Sequence, residues 1–136
     1  DAKGGVKMVS FEEILSQSDV ISLHPRVTEE TEGMMNAAAF AKMKTNSIFV
    51  NTARGPLCDY DALYEALTSG QIGQAVLETF AVEPPPADWQ LLKLPNVTLT
   101  PHIAGASMRT VTFAAEQVAE DVRRYIAGEP QNNRCI

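Results

Sequence analysis

Four short apolar runs punctuate the chain: DVISLH (19–24), SIFVNT (47–52), GQAVLET (73–79) and VTLTPH (97–102). Their β-branched content and flanking turn formers predict strands. Between them the apolar positions recur at helical spacing. SFEEILSQS opens with a capping box, Ser10 with Glu13, and puts Phe11, Ile14 and Leu15 on one face. NAAAFAKMK offers Asn36 as N-cap, and DYDALYEALTSG runs from Asp59 to Gly70, a residue suited to the position just past a helix. The longest helix is expected from about Ser107 to Ala127, with Val111, Ala114, Ala115, Val118, Val122 and Ile126 on one stripe and Gly128 closing it. AVEPPPADWQLLKLP is too proline-rich for regular sheet and reads as an ordered loop with a short turn around Trp89 to Leu92.

This alternation predicts an α/β domain, a parallel sheet with flanking helices. In such a sheet the carboxyl ends of the strands share one rim, where ligands bind. His24, Arg54, Glu78 and His102 each fall at the end of one of the four runs, and Glu83 follows shortly after Glu78. Each has a plain structural reading as well. His24 serves equally as a polar cap, Arg54 as an ion-pair partner of a neighbouring loop, and Glu83 as a solvated turn residue. His102 differs in being bracketed by Pro101 and Gly105, which hold the backbone on both sides. A guanidinium is rarely buried unless paired, so Arg54 after an apolar strand points to an anion or a partner carboxylate.

Composition narrows the field. A chain of 136 residues with 45% hydrophobic content suffices for one domain with a real core. Seventeen acidic against 11 basic residues leave a net charge of −6, and the closest basic cluster is Arg123 with Arg124. Nucleic acid and anionic membrane surfaces are therefore not expected partners. Cys58 and Cys135 stand far apart with no metal-ligand spacing, as in a reduced, cytoplasmic protein. No apolar run approaches the roughly 20 residues of a membrane helix. The opening, DAKGGVKMVS, is no signal peptide and lacks an initiating Met, which hints at a piece of something longer. KGGVK has neither the spacing nor the preceding strand of a dinucleotide fingerprint, and GxGxxG is absent.

NTARG, LETFAVEP and LTPHIAGAS, in this order and spacing, resemble the D-isomer-specific 2-hydroxyacid dehydrogenases. SDVISLHPRVTEETEGMMN and FAKMKTNSIFVNTARG extend the likeness from about Val6 to Gly128. The resemblance implies the second half of a Rossmann-type nucleotide-binding domain, with residues 1–136 lacking the glycine-rich first half and the substrate domain. It implies hydride transfer between NAD, or NADP, and C2 of a small 2-oxo or 2-hydroxy acid, in a homodimeric enzyme. Arg54 would match the substrate-carboxylate arginine, His102 the catalytic histidine and Glu83 its carboxylate partner. Thr52, Ala53 and Arg54 would line the nicotinamide side, with His102 and Gly105 also near the cofactor, and His24 with Thr28 the adenosine and phosphate side. Glu78 would match the cofactor-binding position that accepts from the carboxamide NH2, where the family usually has aspartate, and LHPRV departs from the commoner pattern, which has proline one residue later.

The chemistry suits these roles. Ketone reduction develops negative charge on oxygen, so a histidine acid is apt, and a carboxylate beside it stabilises the imidazolium. An arginine fork orients a carboxylate through paired hydrogen bonds. Two competing readings are a non-catalytic, flavodoxin-like binding or assembly module and a Cys58 nucleophile working with His102 and Glu83. For the isolated chain, the exposed edge of DVISLH is expected either to pair with a second chain or to rearrange locally, and VKMV to be displaced for want of its neighbours.

Overall fold

The computed structural model describes residues 5–133. Four parallel strands, β1 (Val20–Leu23), β2 (Ile48–Asn51), β3 (Gln74–Leu77) and β4 (Val97–Leu99), form one sheet in the order β1-β2-β3-β4. One register row is Ile21, Phe49, Ala75 and Val97, and the next row of like orientation is Leu23, Asn51, Leu77 and Leu99. Thr100 N–H donates to Leu77 O, so the ladder runs one step past β4 towards His102.

Helices α1 (Phe11–Gln17), α2 (Ala37–Lys42), α3 (Tyr60–Thr68) and α4 (Met108–Ile126) occupy the positions their periodicity predicts. Each begins on a side-chain cap that satisfies an otherwise orphaned N–H. Ser10 accepts from Glu13, Asn36 from Ala39, Asp59 from Asp61 and Ala62, and Ser107 from Thr110. Gly70 and Gly128, at φ 75° and 72°, close α3 and α4 in the left-handed conformation that glycine adopts without strain. The capping box at α1 is only half made, because the Glu13 carboxylate pairs with Lys7 Nζ at 2.9 Å. Of the expected apolar face only Leu15 is buried; Phe11 and Ile14 remain 38% and 36% exposed. Val6 and Met8 are exposed outside any strand.

The core gathers Leu15, Met35, Phe40, Phe49, Leu57, Leu63, Ile72, Leu77 and Leu91. Phe40 and Phe49 meet edge to face at 5.3 Å, an arrangement favoured by the ring quadrupoles. The loop after β1 is stitched to the loop after β2. Gly33 N–H donates to Pro56 O at 2.9 Å, Met35 N–H to Leu57 O at 3.0 Å, and Asp59 N–H to Met35 O at 2.9 Å.

The chain divides into two compact units, one up to His102 and one from Ile103. In the second unit, α4 has no buried residue; Val111, Val118, Val122 and Ile126 of the expected stripe are 61%, 64%, 52% and 79% exposed. Its C-terminal half is braced within itself. Glu120 accepts from Arg123 and Arg124, which hold its carboxyl at about 2, and Asp121 accepts the backbone N–H groups of Asn132 and Asn133. Cys135 lies outside the described residues, as do Lys3 and Gly4 of the KGGVK run.

Candidate active site

The turn after β2 is built on Asn51, which is fully buried. Its Oδ1 accepts from Ala53 N–H at 3.1 Å and its Nδ2 donates to Arg54 O at 3.1 Å, so one side-chain amide shapes the segment from Asn51 to Arg54. The same Nδ2 reaches Tyr60 Oη at 3.4 Å, and Tyr60 donates to Thr79 O at 2.7 Å. Burial is the first cause that pushes the Tyr60 hydroxyl's pKa far up, so it remains a donor. This chain of bonds ties the β2 turn to the segment after β3. Asn51 and Tyr60 escape a sequence reading because nothing about an asparagine in an apolar run, or a tyrosine in a helix, announces a shared hydrogen-bond network.

Gly55 seals the same junction. A Cβ there would lie 2.0 Å from Phe80 O and 2.7 Å from Ala81 N, so only glycine permits this approach. Arg54 is thereby delivered to an exposed position. Its Nη1 donates to Ala53 O at 2.6 Å, and no carboxylate among the described residues forms an ion pair with it.

Beyond β3 the chain turns out of the sheet, and the proline-rich loop is held by Trp89. This indole meets Tyr60 edge-on at 5.4 Å and Phe80 at 5.7 Å. Glu83 is gripped at both oxygens: Oε1 accepts from Phe80 N–H at 2.9 Å, and Oε2 lies 2.9 Å from His102 Nδ1. The His102 bond first, and the Phe80 N–H second, hold the Glu83 carboxyl below the usual glutamate value. A more distant contribution comes from the Arg54 guanidinium, whose positive field reaches Glu83. With Nδ1 engaged, Nε2 is the His102 ring nitrogen without a hydrogen-bond partner among the described residues. Both side chains are about two-fifths exposed, so the pair is worth little to stability and more to orientation.

A cleft of about 460 Å³ at the same rim is lined by His24, Pro25, Arg26, Val27, Thr52, Ala53 and Arg54. His24 Nε2 lies 3.0 Å from Ser22 Oγ. Thr28 is not among the lining residues; its hydroxyl lies 3.1 Å from that of Thr31 in the loop behind. Glu78 is buried at the end of β3, with its N–H donated to Asn51 O. Gly105 lies in the turn that opens the second unit, where Ala106 N–H donates to Ile103 O at 2.9 Å. Cys58 is buried, and desolvation pushes its thiol far from ionisation, the opposite of what a nucleophile needs.

The sequence profile described as "D-isomer specific 2-hydroxyacid dehydrogenase, NAD binding domain" matches residues 1–104. The chain belongs to this family. Over 128 residues it is 44% identical to a glycerate dehydrogenase of Methylorubrum extorquens, covering 92% of this chain and 40% of that protein. A glyoxylate reductase of Korarchaeum cryptofilum is 46% identical over 125 residues, covering 92% and 38%. The crystal structure of a D-isomer-specific 2-hydroxyacid dehydrogenase from Xanthobacter autotrophicus, in complex with NADPH and MES, superposes with a TM-score of 0.84 at 40% identity, covering 93% of this chain and 51% of that one. The chain thus spans about two-fifths of the length of these two curated dehydrogenases, and 24% of a D-3-phosphoglycerate dehydrogenase of Archaeoglobus fulgidus to which it is 43% identical.

Proposed function

We propose that this chain serves, within a longer homodimeric dehydrogenase, as the part of the NAD(P)-binding domain that carries the acid–base residues for interconverting a small 2-oxo acid and its 2-hydroxy acid. The observation that carries the reading is the 2.9 Å bond between Glu83 Oε2 and His102 Nδ1, on the rim that also bears an Arg54 without a carboxylate partner among the described residues.

The residues fit a dinucleotide. The rim cleft combines two guanidiniums, a histidine and a threonine hydroxyl, a donor set matched to phosphates and an amide, at the strand ends where such ligands lie. When bound, the nicotinamide supplies the hydride in reduction and takes it up in oxidation. The remaining tasks fall to this chain. Arg54 binds the acid's carboxylate through its fork and so fixes which face of C2 is presented. His102 Nε2 hands a proton to the carbonyl oxygen as charge develops there, and removes it in the reverse direction. Glu83 accepts from Nδ1–H, holding the ring in the orientation that leaves Nε2 free and stabilising the imidazolium. Asn51 positions Arg54 by fixing the backbone it hangs from.

The deciding experiment is steady-state oxidation of NADH or NADPH by the intact enzyme with glyoxylate and hydroxypyruvate, repeated with His102→Ala. Turnover with at least one acid is expected, falling by roughly two to four orders of magnitude in the variant with the dinucleotide Kd held within about twofold. No consumption with any 2-oxo acid, or an unimpaired variant, would remove the proposal.

A further inference from the structure

Arg26 is the second arginine lining the rim cleft, beside the Arg54 assigned to the substrate carboxylate. Its surroundings are unusual for an arginine in an acidic chain. Glu29, Glu30 and Glu32 follow in the same loop, yet among the described residues Arg26 forms neither an ion pair nor a side-chain hydrogen bond. Its backbone, by contrast, is fixed. Thr31 Oγ1 donates to Arg26 O at 2.6 Å, and Thr31 in turn accepts from Thr28 N–H at 2.8 Å. That loop is bonded through Gly33 N–H to Pro56 O, in the turn that carries Arg54.

The cleft is therefore lined by an arginine from each of two adjacent strand ends, on backbones tied to one another. One cation suffices for a substrate carboxylate. A second one, on a fixed backbone and free of the nearby glutamates, calls for another anion along the same cleft.

We infer that Arg26 binds a phosphate group of the dinucleotide, making it an affinity-determining residue on the β1 side of the cleft. The inference rests on the cofactor reading above. Its chemistry is a guanidinium fork on phosphate oxygens, and two phosphates could supply it: the pyrophosphate shared by both dinucleotides and the 2′-phosphate of NADP.

The test is calorimetric titration of the intact enzyme and its Arg26→Gln variant with NADH and with NADPH. Lys93→Gln, a charge-matched change at an exposed residue that does not line the cleft, controls for net charge. Because Arg26 is exposed and its fixed atom is a backbone carbonyl, the substitution leaves the fold intact, checked by an unchanged urea midpoint. Arg26→Gln is expected to weaken at least one dinucleotide by about tenfold or more, the usual scale for a lost charge-assisted hydrogen bond, with Lys93→Gln within twofold of wild type. Equal loss for both assigns the pyrophosphate; loss for NADPH alone assigns the 2′-phosphate. Affinities within twofold of wild type for both dinucleotides would overturn the inference, including the case in which only the KM for a phosphorylated acid rises. If the wild-type enzyme binds neither dinucleotide, the cofactor reading itself falls and takes this one with it.

Discussion

Glu83 is held by two donors of different kinds, a backbone N–H and an imidazole, and the two have different consequences. The Phe80 bond fixes the carboxylate to its own loop, whereas the His102 bond reaches across to the end of β4. Both depress the carboxyl pKa, so the linkage has a definite sign. The pairing contributes fully above the ordinary glutamate value of 4.5 and is lost as pH falls through the lowered value in the folded state. Carbon-13 NMR should place the Glu83 midpoint below 4.5, and His102→Ala should move it back upwards because the largest cause is removed. A midpoint indifferent to His102 would show that the pair does not form in solution. At Arg54 the expected sensitivity is geometric. Arg54→Lys retains the charge but loses the fork, so the intact enzyme should show an apparent KM for the acid raised by about tenfold with a smaller change in kcat. An unchanged KM would mean that Arg54 does not hold the carboxylate.

At the scale of elements, the functional groups depend on two turns pressed together. The turn after β2 and the segment after β3 meet where Gly55 packs on the Phe80 and Ala81 backbone. Gly55→Ala forces these apart. It should cost about 1–3 kcal/mol in urea unfolding, as overpacking does, and lower kcat/KM beyond what stability explains by moving Arg54 relative to Glu83. An alanine variant as stable as wild type would show that the junction is slack. Trp89→Leu removes two edge-to-face contacts, worth roughly 1–3 kcal/mol together, from the loop that carries Glu83. That loss should appear both in the urea midpoint and as faster hydrogen exchange at Phe80 N–H. The helices are legible in the sequence, since Ser10, Asn36, Asp59 and Ser107 each cap through the side chain their identity suggests. Their buried faces are less so. Phe11, Ile14 and the α4 stripe are apolar at helical spacing yet exposed, because periodicity shows that a face seeks cover without showing what covers it.

For the whole molecule, the sheet order leaves β1 paired on one side only among the described residues, with Val20 55% exposed. Unpaired edge N–H and C=O groups recruit another strand when they can. The isolated 136-residue chain should therefore self-associate with rising concentration in light scattering, and a charged substitution, Val20→Lys, should suppress this. A strictly monomeric wild-type chain at high concentration would refute edge pairing. Four apolar runs, their alternation with capped helices and the residues at their ends were determined by the sequence alone. Strand and helix periods, cap chemistry and turn residues are local properties, and a parallel sheet then obliges every strand to end on one rim. Only the tertiary structure decided which of those end residues meet. The Glu83–His102 bond spans two loops, Asn51 works through Tyr60 and Thr79, and Arg26 shares a cleft with Arg54 because separate loops are bonded together. Such contacts depend on how segments distant in the chain pack, and nearest-neighbour pattern carries no record of that.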